Sequence, residues 1–278
     1  MLISIMFSLG AVAASENIAS GDNDCDIISL SSDDVVKVNQ EFEISNAEST
    51  NDANILNSSN DEKVGSSNND ILKTDVNGGT FADIRSAIAS TSPGGIVFLN
   101  GQNYSGNSRI TIDRNITIDG ASSLNTNQFS ILNANKISRI FVSSNAGYHI
   151  ILKNLIFENP AANAQGYFTS FARGNITFSN IIVRNQKLSG NFRNAFSIAA
   201  YSTLNVCNVT FENNTIDTAS NPVTGVLFNV GQLSNISISN LNYYDNKIIS
   251  LSNIQGGVLN FANYCNVEIE NINYQRNF

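Results

Sequence analysis

The sequence predicts an all-β protein built on a right-handed parallel β-helix, entered through a short capping helix and preceded by a disordered acidic leader. Three observations carry that expectation. Asn154, Asn180, Asn208, Asn240 and Asn271 recur at intervals of 26, 28, 32 and 31 residues, the self-similarity expected of a solenoid. Apolar residues alternate with period two on both sides of each of them, as in strands with one buried face. The composition also changes near Gly78, where an acidic, Asn- and Ser-rich stretch gives way to these repeats.

At the N-terminus, residues 1–14 join a short apolar run, Leu2 to Leu9, to the small residues Ala11, Val12, Ala13 and Ala14. Signal peptidases cut such arrangements, so export to the cell surface is expected, although no Lys or Arg precedes the run. The run is too short for a bilayer and no later segment is apolar enough, so no transmembrane span is expected. Residues 15–77 read as a mostly disordered leader. Residues 1–75 carry 14 acidic side chains against three lysines, and stretches such as Asn57–Glu62 cannot bury enough apolar area to offset the entropy of ordering them. Residues 76–278 carry 12 basic and nine acidic side chains. That near-neutral body lacks the basic stripe that nucleic-acid binding requires. Cys25, Cys207 and Cys265 form no CxxC pair and sit near no histidine cluster, which argues against a disulfide framework or a zinc site, and no cofactor is expected.

The β-helix is expected over residues 78–278. Thr80 and Asp83 stand as cap and first-turn acid before Phe81, Ile84, Ala87 and Ile88, which share one helical face. Ser92-Pro93-Gly94-Gly95 ends that helix, and Ile96–Leu99 reads as a buried strand. The repeats follow. Around Asn208, for example, Leu204, Val206, Val209 and Phe211 are apolar, and the other four repeats match at the same offsets. The apolar parity slips by one at the Asn, so each Asn occupies a corner between two strands, where it tolerates left-handed backbone and hydrogen-bonds locally or to the next coil. Ala195–Ala200, Gly225–Val230 and Gly256–Phe261 supply a third strand per coil. An immunoglobulin-like sandwich, with a unit of about 100 residues, fits a 30-residue period poorly.

Polysaccharide chemistry would need converging carboxylates. The acids of the helix region are Asp83, Asp113, Asp119, Glu158, Glu212, Asp217, Asp245, Glu268 and Glu270, and few converge. Glu158, Arg184 and Glu212 share an outward position and read as cross-strand pairing. His149 has no acid or nucleophile beside it in sequence. No catalytic or metal-binding residue is therefore assigned. For binding, Tyr201, Tyr244 and Tyr264 are the candidates, with Tyr148, Tyr201 and Tyr264 read as a row opening successive strands and serving either to stack on sugars or to stiffen the sheet. Among the acceptor sequons, Asn175, Asn213 and Asn235 are candidate glycosylation sites.

Phe81–Ile88, Gly94–Leu99, Tyr104 and Ile110–Gly120 resemble the opening of pectate-lyase-like β-helix domains. Phe211-Glu212-Asn213-Asn214 and Gly256-Gly257-Val258-Leu259 resemble the FxxN and GGAI signatures of polymorphic outer-membrane proteins. The whole is most similar to adhesin-like surface proteins of gut methanogenic archaea. That resemblance covers about residues 80–278. It implies the fold and an adhesin-like role, and with few converging acids the expectation is a non-catalytic display or binding stalk facing glycans or proteins of other cells. The alternatives are a lyase or glycoside hydrolase on the same fold and a purely structural envelope component. The family's members tend to be much longer, so a truncated chain is also expected.

Overall fold

The computed structural model describes residues 72–134, 139–143, 145–159, 168–189, 194–219, 223–250, 254–255 and 257–277, all within one compact unit. The expected signal segment, and the leader as far as residue 71, lie outside the described residues. Within them the chain is an all-β parallel solenoid of about five turns with one short helix.

The helix spans Phe81–Ser90 and buries Phe81, Ile84, Ala87 and Ile88. Its start is a capping box: the Asp83 amide donates to Thr80 Oγ1 (3.2 Å), and the Thr80 amide donates to Asp83 Oδ2 (2.9 Å). These two bonds satisfy amides that the first helical turn leaves without partners, and the Thr80 hydroxyl, donating to Asp83 Oδ2 at 2.7 Å, together with the Thr80 amide holds the Asp83 carboxyl below its ordinary pKa. The solenoid begins before Gly78: Lys73–Asp75 forms a strand parallel to Ile96–Phe98, and Val76 is buried. The acidic leader thus hands over to the first coil within its own last residues.

Every strand pairing among the described residues is parallel. The frame consists of five long strands, Tyr148–Glu158, Gly174–Arg184, Thr203–Glu212, Asn235–Tyr244 and Asn266–Gln275, stacked in order. Each long strand bends at its corner Asn, and the register passes over it: Ser179 pairs with Cys207 and Ile181 with Val209, with the two Asn residues skipped between them. Phe196–Ile198, Phe228–Val230 and Leu259–Phe261 form the expected third strand. A further short strand per coil, Lys187–Ser189, Thr215–Ala219 and Lys247–Ser250, stands between the second corner and the third strand, and the sequence reading had not separated it.

The core is a column of stacked side chains. Phe157, Phe168, Phe178, Phe196 and Phe228 interlock with ring centroids 4.7–6.4 Å apart. Phe211, Tyr243 and Tyr274 stack nearly parallel, 5.2 and 5.4 Å apart. Equivalent residues of successive coils lie one strand spacing apart, about 4.8 Å, so like rings meet face to face with a modest offset.

Candidate functional site at the corners of the solenoid

Left-handed backbone recurs at three corners of the stacked coils. At the first, Asn154, Asn180, Asn208, Asn240 and Asn271 have φ between 53° and 57°. Their amides donate in one direction in two runs: Asn271 Nδ2 to Asn240 Oδ1 (3.2 Å), and then Asn208 to Asn180 (2.8 Å), Asn180 to Asn154 (2.9 Å), and Asn154 to Asp119 Oδ1 (2.8 Å). A carboxylate therefore sits at the acceptor end of aligned amide dipoles, where bonds in a chain polarise one another. Asp119 is itself buried, accepts from the Ala121 amide and pairs with Lys153 Nζ at 3.0 Å. Gly120 lies so close under Asn154 that a Cβ there would overlap its carbonyl oxygen.

At the second corner, Asn159, Asn185, Asn213, Asp245 and Arg276 take positive φ. The residue after each of the last four is an amide turned inward: Gln186, Asn214, Asn246 and Asn277. The Gln186, Asn214 and Asn246 backbone amides donate to the side-chain oxygens of Asn214 (3.0 Å), Asn246 (3.0 Å) and Asn277 (2.9 Å) in turn. Asn246 Nδ2 also donates to the Phe211 and Tyr244 carbonyls, at 2.8 and 2.9 Å. This inner ladder was missed in the sequence apart from its one FxxN copy at Asn214. Its signal was an amide three residues after each of Val183, Phe211, Tyr243 and Tyr274.

At the third corner Gly147 holds the place in the coil of Asn154, and in the last three coils the left-handed residues are Tyr201, Leu233 and Tyr264, with φ of 60°, 58° and 62°. Each is followed by a small polar residue. Ser202 Oγ accepts from the Gly174 amide (3.3 Å), and Ser234 Oγ accepts from the Ser202 amide (3.1 Å); Cys265 holds the next place and is a free thiol. Cys207, in contrast, is disulfide-bonded. The side chains of Tyr201, Leu233 and Tyr264 are 57%, 45% and 82% exposed. Left-handed backbone costs an ordinary residue about 1 kcal/mol or more, and Asn far less.

The three candidate tyrosines do not form one site. Tyr148 pairs with Gly174, which places it in the Ser202 row and one position off Tyr201, so the expected row of Tyr148, Tyr201 and Tyr264 does not exist. Counting back from the corner Asn shows why: Tyr201, Leu233 and Tyr264 stand seven residues before theirs, Tyr148 six. Tyr244 is half-buried on another face, its hydroxyl donating to Glu212 Oε2 at 2.5 Å. That bond, with lesser burial and charge contributions, pushes its pKa up to about 12. In the same outward row Arg184 Nε binds Glu158 Oε1 at 2.9 Å. Asp113 pairs with Arg114, and Asp245 with Arg276. Glu268 and Glu270 lie exposed on the last long strand. Asn175, Asn213 and Asn235 are all exposed, with Asn213 Nδ2 donating to Asn185 Oδ1 at 2.7 Å. The His149 amide donates to Asn115 Oδ1 at 2.9 Å.

Among the described residues no three acid, histidine or cysteine side chains are grouped to hold a metal, and no helix is long and apolar enough to cross a membrane. Comparison with family models, curated proteins and solved structures finds no match for this chain.

Proposed function

We propose that the chain is an exported, adhesin-like surface protein whose solenoid binds or displays at the cell exterior and carries no catalytic centre. The observation that supports this reading most is the state of its carboxylates. Asp119, Glu158, Glu212, Asp113 and Asp245 are each held by Lys153, Arg184, Tyr244, Arg114 and Arg276 respectively, whereas glycosidic hydrolysis needs one carboxyl kept protonated and a second ready to attack or activate water. The remaining outward positions are dominated by Asn, Ser and Thr, which suit a face that touches neutral surfaces. The partners proposed are glycans or proteins on other cells.

The test is a glycan-array and whole-cell binding screen of the full chain, paired with an assay for newly formed reducing or unsaturated sugar ends. Binding without product is the expected result. Product release would replace this reading with a polysaccharide-active enzyme, and neither binding nor product would favour a structural envelope component.

A further inference from the structure

The third corner is built against the preference of its own backbone. At the first corner every left-handed position holds Asn, the residue that tolerates this conformation best. At the third, two coils hold Tyr and the coil between them holds Leu, all with φ near 60°. Bulky residues in that region are outliers, and such outliers concentrate where a surface has a task beyond folding. These three side chains do not repay the strain by burial, since Tyr201, Leu233 and Tyr264 are among the most exposed large apolar groups of the described chain. Register places them on consecutive coils, because the next residues, Ser202, Ser234 and Cys265, occupy equivalent places. They make a ridge parallel to the solenoid axis, with the two tyrosines roughly 9.6 Å apart, two coil spacings of about 4.8 Å each.

We propose that this ridge is a binding site for an uncharged saccharide chain running along the solenoid axis. The inference rests on the binding reading above and gives that reading a place and a ligand class. The chemistry of the flanks selects the occupant. Gln232 and Asn263 precede Leu233 and Tyr264, and Thr203, Asn235 and Asn266 follow two residues after the ridge positions; the four amides are exposed. Amide side chains both donate and accept, which matches sugar hydroxyls, and the ring faces of Tyr201 and Tyr264 suit the C–H faces of pyranose rings. None of these flanking positions carries a charge; the row's one nearby cation is the exposed Arg173, one coil before Tyr201, so an anionic polymer finds a counter-group at that end of the ridge and none along it. Two coil spacings are also close to the length of a disaccharide, so alternate rings of an extended chain fall on Tyr201 and Tyr264.

The experiment is affinity electrophoresis of the full chain through gels containing hydroxyethyl cellulose, mixed-linkage β-glucan or galactomannan, repeated at low and high salt. Wild type and Tyr244→Phe are expected to be retarded by at least one polymer equally, with little dependence on salt. Tyr201→Asn combined with Tyr264→Asn is expected to weaken that retardation about tenfold without lowering the melting temperature, because Asn fits the corner better. Retained retardation in the double variant, or a marked fall in its melting temperature, would overturn the proposal and make the tyrosines ordinary structural residues. Cell binding that needs the ridge without retardation by any polymer would overturn the saccharide class in favour of a protein partner, leaving the surface-binding reading intact. Loss of both cell and polymer binding in wild type would sink that reading too.

Discussion

The first and third corners of each coil adopt the same left-handed backbone, yet they are filled on opposite principles. Asn180 and Asn208 meet the geometry with a residue suited to it and hydrogen-bond to neighbouring coils. Tyr201 and Tyr264 meet it with bulky rings that extend into solvent, while the ladder beneath them is left to Ser202 and Ser234. Corner geometry is therefore tolerant provided that something nearby satisfies the backbone. A position relieved of that duty is free to serve another. The second corner shows the same separation more fully, with the outward left-handed residue and the inward amide as adjacent but distinct side chains.

The comparison can be broken most severely at the inner ladder. Asn246→Ala removes the acceptor of the Asn214 amide and the donor to the Phe211 and Tyr244 carbonyls; unpaired buried groups cost about 1–3 kcal/mol apiece, so a loss of about 4 kcal/mol is expected in denaturant titration. Alkaline pH should come next. Burial pushes the Tyr104 hydroxyl up to about 12, above its ordinary value of about 10. The protonated ring therefore favours the folded chain. That stabilisation is complete below about pH 10 and is lost as pH rises through 12, worth about 3 kcal/mol at most. Melts across that range should show the fall, and Tyr104→Phe should shrink it, leaving the share of the raised Tyr243 and Tyr244 hydroxyls. At the first corner, Asn208→Leu forces a poor residue into left-handed backbone and removes the donor to Asn180, for about 2 kcal/mol. The smallest effect belongs to the outward ladder, where Arg184→Ala breaks a half-exposed pair with Glu158 and should cost less than about 1 kcal/mol; a larger loss there would mean that the outer face carries more of the fold than its packing indicates.

Much of the fold was legible because solenoid packing writes itself into short-range pattern. Leu204, Val206, Val209 and Phe211 point inward by parity alone, and the slip at Asn208 marks the corner without any knowledge of its neighbours. The capping box at Thr80 and Asp83 was readable for the same reason, since both its bonds close within four residues. The third corner was harder. Its distance from the preceding repeat varies with loop length, so reading forward from one tyrosine to the next misaligned Tyr148 with Tyr201. Counting backward from the corner Asn keeps the register, because the first half of each long strand has a constant length. The strand at Lys73–Asp75 was hidden by its surroundings: three polar residues in an acidic stretch are ordered by the edge of Ile96–Phe98, a long-range pairing that composition does not reveal. The bond at Cys207 was hidden likewise, since spacing along the chain says little about which sulfurs meet in space.

The different duties of the first and third corners can be read from a pair of thermal melts on the full chain, Asn208→Leu against Tyr201→Asn with Tyr264→Asn. Opposite signs are expected: Asn208→Leu melts lower than wild type, while the double asparagine variant melts at the wild-type temperature or above it, gaining about 1 kcal/mol per corner relieved. A double variant that melts well below wild type would contradict that expectation, showing that the rings at the third corner hold the solenoid together.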